Sequence, residues 1–216
     1  MNLDKIHLQS LIDQLGRNEE IKLTALPDIE LYMEQLLTFL NGKLDTFWRT
    51  ADDKLLTKTM INNYTKHHLL IPPKNKKYTK DHLLSLILIY QLKNVLDLGD
   101  IKRLFHPILR DISTPDDDIM PLGDIYSTFL ELKQDQYAAF CAGFADNVAQ
   151  IGTKTAAIEG EENQQLATMF LVVLMLVAQA NASKSLALQI IDSYFAAADG
   201  DKKVETEKYE LSGEPV

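Results

Sequence analysis

Cysteine occurs once in the 216 residues, as Cys141, so no internal disulfide can form. A single thiol fits a reducing, cytoplasmic compartment. There is no nucleotide-binding glycine loop and no CxxC or HExxH pattern, the usual sequence signs of phosphate and zinc chemistry. Long apolar runs are lacking too. Met1 is followed by NLDKIHLQSLID, without the apolar core of a secretion signal. The most apolar run, Leu166 to Ala178, covers 13 residues and is interrupted by Thr168, whereas roughly 20 are needed to span a bilayer. Gln164, Gln165, Gln179 and Asn181 flank it, so a buried helix is expected there and no membrane partner. No nucleophile or acid–base set is visible. His67 and His68 are adjacent, and on a helix they point about 100° apart, poor geometry for a shared metal. Asp116, Asp117 and Asp118 are consecutive, with no His or Cys nearby, which suits a solvated linker better than a cation site. Cys141 sits beside Phe140 in an apolar stripe and reads as a structural thiol. The expectation is therefore no enzyme, no cofactor and no metal.

What the chain does have is an uneven charge distribution. Its net charge is −9, which by itself argues against nucleic acid. From Lys54 to Arg103, however, ten Lys/Arg stand against three Asp, giving +7, and the remainder carries −16. A basic segment within an acidic protein can bind phosphates locally, while the acidic remainder limits non-specific attraction.

In chain order, residues 3–15 space Leu3, Ile6, Leu8, Leu11, Ile12 and Leu15 as a short amphipathic helix, with Gly16 as its stop. Asp28 is placed to cap a helix whose inner stripe is Ile29, Tyr32, Met33, Leu36, Leu37 and Leu40. Asn41-Gly42 either ends it or lets it run on through Leu44 and Trp48. Thr57 then caps a second helix with Met60, Ile61 and Tyr64 inward. Its outer residues are Lys58, Thr59, Asn62, Asn63 and Lys66. Asn can bond adenine edges and Lys can reach guanine or phosphate, as a recognition helix requires. The plain alternative is an ordinary solvated face. Pro72 and Pro73 cannot continue a helix, and Lys74-Asn75-Lys76-Lys77 forms a basic turn after them. Thr79 caps a helix apolar on nearly every side from Leu83 to Tyr90. Asp97 caps the next, with Ile101, Leu104, Phe105 and Ile108 inward.

The stretch from about 56 to 105 resembles the winged-helix DNA-binding domain of the MerR family of bacterial regulators. The matching residues are the Thr57 cap, Ile61, Tyr64, Lys66, Leu69-Leu70, Pro72-Pro73, the basic turn, Tyr78-Thr79-Lys80-Asp81, and the helix start from Asp97 to Ile101. Where such regulators carry early basic residues, this chain has Thr59 and Asn62. Where they carry a glycine before Leu-Leu, it has His68. The whole chain also resembles an uncharacterised family of Gram-positive bacterial proteins. The MerR resemblance implies double-stranded DNA as partner, the helix from Thr57 in the major groove and the basic turn on phosphates. On that reading Lys58, Thr59, Asn62, Asn63, Tyr64, Lys66, Lys74, Asn75, Lys76, Lys77 and Tyr78 form the DNA-binding set.

Beyond Arg110 the acidic DISTPDDDIMPLGD reads as a linker. A helix from about 122 to 150 follows, with Ile125, Phe129, Leu132, Gln136, Phe140, Phe144, Val148 and Ile151 on one stripe and Gly152 near its end. A block from Glu161 to Ala198 is apolar all round, with Asn181 to Ser185 as a candidate break. A helix without a polar face must be covered on every side, and the cover is expected to be a second copy of the chain, or else the helices of residues 3–15 and 29–40. The expected fold class is all-α. An N-terminal helix (1–23) precedes a MerR-like winged helix-turn-helix head (24–110), then a helical dimerisation and effector region (111–198) and a charged tail (199–216). The expected function is transcription regulation by a cytoplasmic homodimer. The other reading is an all-helical protein-interaction adaptor with a degenerate winged helix that binds no DNA.

Overall fold

A helix without a polar face organises the first half of the chain. In the computed structural model, which describes residues 10–13, 20–44, 56–109 and 120–195, helix α3 (Lys80–Leu92) buries eight of its thirteen residues. Around it lie β1 (Leu31–Tyr32), α1 (Met33–Leu44), α2 (Lys58–Lys66), β2 (Lys77–Tyr78) and α4 (Leu98–Leu109). Two long helices follow, α5 (Leu122–Thr155) and α6 (Glu161–Tyr194). The all-α class holds, since each strand has only two residues.

α1 contributes Leu36, Leu40 and Leu44, all fully buried. Their four-residue spacing makes one stripe. The helix starts later than its sequence suggests. Residues 31–32 are extended and pair antiparallel with β2, Leu31 opposite Tyr78 and Tyr32 opposite Lys77. Ile29 and Tyr32 are consequently exposed, and Leu31 takes the inward place. Asp28 caps nothing; its carboxylate accepts from Lys80 Nζ at 2.7 Å. The long-range strand pairing outcompetes a local helical period here, which a single sequence cannot reveal. At the other end α1 runs past Gly42 to Leu44. The carboxamide of Asn41 grips the backbone of Leu56 from both sides, accepting from its N–H at 2.9 Å and donating to its carbonyl at 3.0 Å. One side chain thereby satisfies both backbone groups that precede α2. Residues 1–9, 14–19, 45–55, 110–119 and 196–216 lie outside the described residues, and with them most of the expected helix over 3–15, Trp48, the Asp116–Asp118 run and the tail.

α5 and α6 form an antiparallel hairpin, each 34 residues and so about 50 Å long. α5 passes through Gly152 to Thr155, and α6 is continuous through Asn181 to Ser185, so neither expected break occurs. Gly160, with φ +86°, turns the chain into α6; a side chain would be strained there. The base of the hairpin shares the core of the first half. Leu122, Tyr126 and Ile191 pack with Leu36, Leu40 and the α3 residues. The fully buried Tyr126 donates its hydroxyl to the Ile21 carbonyl at 2.6 Å. Its pKa is driven far above the phenol range by burial and then by Glu20. A smaller second core joins Ile12, Phe144 and Val172 further along the hairpin. Between the two, most of the hairpin is open to solvent. α6 buries only Thr168, Val172 and Ile191. The expectation of a fully covered helix therefore fails within one chain. By length and composition α6 could also cross a membrane.

Candidate nucleic-acid interface

From Lys54 to Lys80 the chain contains no Asp or Glu, and α2 lies at the centre of this stretch. Thr57 starts the helix, its hydroxyl accepting from the Met60 N–H at 3.2 Å, a cap typically worth about 1 kcal/mol. Ile61 and Tyr64 face the core at 0% and 5% exposure. The positions left over, Lys58, Thr59, Asn62, Asn63 and Lys66, are all exposed and follow one another at i, i+1, i+4, i+5, i+8, which is one helical face. None of the five makes an ion pair with another described residue.

The end of α2 is set before the two prolines. The His68 N–H donates to the Thr65 carbonyl at 3.2 Å, and the Leu69 N–H to the Tyr64 carbonyl at 2.8 Å. This pair of bonds is the Schellman closure, which places one residue in left-handed geometry. That residue is His68, φ 58°. It is the position where the resemblance expects glycine, and the backbone explains the preference. Leu69 and Leu70 then drop into the core at 2% exposure each.

The basic turn is a two-residue hairpin. The Lys77 N–H donates to the Lys74 carbonyl at 3.0 Å, and both central residues, Asn75 (φ 53°) and Lys76 (φ 61°), are left-handed. Asn suits this type I′ shape; Lys76 tolerates it at some cost. Lys74, Asn75 and Lys76 are exposed. Lys77 is more engaged, with Nζ 3.4 Å from Glu30 and 6.0 Å from the Tyr32 ring centroid. Asp28 holds Lys80 in the same way.

Two candidates leave the exposed set. Tyr64 and Tyr78 are buried at 5% and 4%, and burial raises both hydroxyl pKa values. Their rings fasten α2 and β2 to the core, because each occupies the inward phase of its element. The structure thus leaves Lys58, Thr59, Asn62, Asn63 and Lys66 on α2, and Lys74, Asn75 and Lys76 on the turn, as free polar surface, with Lys77 shared with Glu30.

Sequence reasoning missed His82. Its ring is 5% exposed and stands edge-on to Tyr78, centroids 5.4 Å apart. The Thr79 N–H donates to Nδ1 at 3.0 Å, and the Thr79 hydroxyl lies 2.8 Å from the same atom. An accepting Nδ1 puts the ring proton on Nε2. Nε2 makes no well-formed hydrogen bond, although the carbonyls of Ile71 and Pro72 ease its burial. Burial is the largest influence and lowers the His82 pKa. The Thr-x-x-His spacing is that of a capping box with histidine in place of Glu or Gln, a signal open to a sequence reader. His82 therefore couples the start of α3 to the strand leading out of the basic turn.

A polar cluster joins the head to the hairpin. Lys133 of α5 pairs with Glu20 at 2.5 Å and donates to Gln91 Oε1 at 3.3 Å. Among the described residues no three His, Cys, Asp or Glu converge as metal ligands. Cys141 packs beside Phe140 and Phe144 in the second core. The chain matches no curated protein and no solved structure. A family model does match residues 21–129, from the segment held by Tyr126 to the point where α5 leaves the first core. By that match the chain belongs to the family described as "Domain of unknown function (DUF1836)".

Proposed function

We propose that this protein is a cytoplasmic DNA-binding regulator of transcription. The reading takes β1, α1, α2 and β2 as a winged helix of MerR-like order. α2 enters the major groove, with Asn62 and Asn63 toward base edges and Lys58 and Lys66 toward phosphates, and the Lys74–Lys77 turn lies on the flanking backbone. The observation that carries this reading is the composition of the exposed face. Eight polar or basic side chains on α2 and the turn are exposed, in 27 residues without one carboxylate. An ordinary solvated face in a chain of net charge −9 would mix signs.

The test is fluorescence anisotropy with double-stranded DNA across a salt series, on sites enriched from genomic fragments. Lys74→Ala with Lys76→Ala is the informative pair, because Lys77 already serves Glu30. Affinity falls for all sequences alike, and the slope of log affinity against log salt drops by roughly one to two units. Asn62→Ala and Asn63→Ala change sequence preference and leave the slope in place. An unaltered slope in the double lysine variant removes the turn from the interface. Failure to enrich any fragment at moderate salt favours the adaptor reading, which the pairing of Lys77 and Lys80 with Glu30 and Asp28 supports.

A further inference from the structure

α6 has two apolar faces and only one of them is covered. The inner face, through Val172, Met175 and Leu176, packs with Phe144 of α5 and with Ile12. The outer face holds Leu166, Phe170, Val173, Leu174 and Val177, exposed by 71, 63, 56, 49 and 51%. At about 100° per residue the two faces point in nearly opposite directions. The steps from 166 to 170, 173 and 177 are four, three and four, the spacing of a helix–helix seam. A contiguous apolar patch of this kind marks an interaction site, unlike scattered exposed leucines.

We propose that the outer face of α6 binds the same face of a second copy of the chain, the two helices running antiparallel about a two-fold axis near Val173. Charge selects both occupant and direction. Residues 163–183 hold no charged side chain. The exposed Glu162 lies one turn before Leu166 on the outer face, and the exposed Lys184 two turns beyond Val177. An antiparallel pair centred on Val173 brings Glu162 of each copy opposite Lys184 of the other. A parallel pair would set Glu162 on Glu162 and Lys184 on Lys184. A bilayer is the poorer occupant despite the length of α6. α5 lies alongside and carries exposed Asp135 and Asp146, the latter between Phe144 and Val148 at the depth of Val172. Carboxylates in hydrocarbon are costly. The inference does not rest on DNA binding and stands if the head binds none.

Sedimentation velocity and light scattering on the full chain test it. The expected wild-type mass at micromolar concentration is twice 24.5 kDa. Val173→Glu yields a monomer with unchanged helical circular dichroism. Glu162→Lys and Lys184→Glu each weaken the dimer several-fold, as expected of paired surface charges, and together they restore it. These surface variants decide the matter even if Val173→Glu fails to fold. A wild-type monomer overturns the proposal, as does co-flotation of that monomer with phosphatidylglycerol vesicles. Single charge reversals without effect overturn the antiparallel pairing.

Discussion

α3 and α6 look alike as sequences and differ as structures. Each is apolar around most of its circumference. α3 buries eight of thirteen residues, because α1, α2, β2 and the base of α5 surround it. α6 buries three of thirty-four, because α5, a short segment around Ile12 and, near Ile191, α4 cover only part of its surface. A helix without a polar face states a demand for cover. It does not say whether the same chain meets that demand.

The largest effect to expect tests this contrast directly. Leu86→Ala in α3 removes a fully buried side chain and should cost about 2–5 kcal/mol. Leu166→Ala, 71% exposed on α6, should cost under about 0.5 kcal/mol in urea titrations at dilutions where the chain is monomeric. A loss above about 1 kcal/mol at that dilution would mean that Leu166 is covered from within its own chain, which would break the comparison. A smaller effect comes from the end of α2. His68 is held at φ 58°, so His68→Gly should raise stability by about 1 kcal/mol, seen as a higher Tm. A lower Tm would show that the imidazole makes a contact outweighing the backbone strain.

The smallest effect is a pH dependence in the first core. Burial lowers the His82 pKa from its ordinary 6.5, so the unfolded chain binds the proton more readily than the folded one. The contribution of His82 is full above about 6.5 and declines as pH falls below it. His82→Gln keeps an acceptor at the third helical position and should flatten that decline in thermal melts. An equal slope in the variant would assign the dependence to other groups.

Features that depend on neighbours in sequence can be read from the sequence. The Thr57 cap, the inward Ile61 and Tyr64, the outward α2 residues, the Asp97 cap (accepting from the Asp100 N–H at 2.8 Å) and the buried α3 were all legible. Each rests on helical period or on a bond spanning three residues. Tyr64 shows the limit of assigning one residue to two tasks. Its spacing puts it in the inner stripe and the resemblance puts it at the interface, and only the first is compatible with its burial. Contacts between distant residues were not legible. Pairing of Leu31 with Tyr78 replaced the expected first turn of α1. The grip of Asn41 on Leu56 reads in sequence as a helix stop. Tyr126 lies off the expected stripe of α5 and yet anchors the segment at Ile21.

By itself, then, the amino-acid sequence determined the helical class, the caps, the basic stretch free of carboxylates and the outward set on α2, because these follow from local hydrogen bonding and a 3.6-residue period. Only the tertiary structure decided that Tyr78 belongs to the core, that Tyr64 is closed to the interface, that His68 and Lys76 carry left-handed backbone, and that Lys77 is shared with Glu30. It also decided that α6 keeps an open face. Burial is set by which elements meet, and that depends on contacts between residues far apart along the chain.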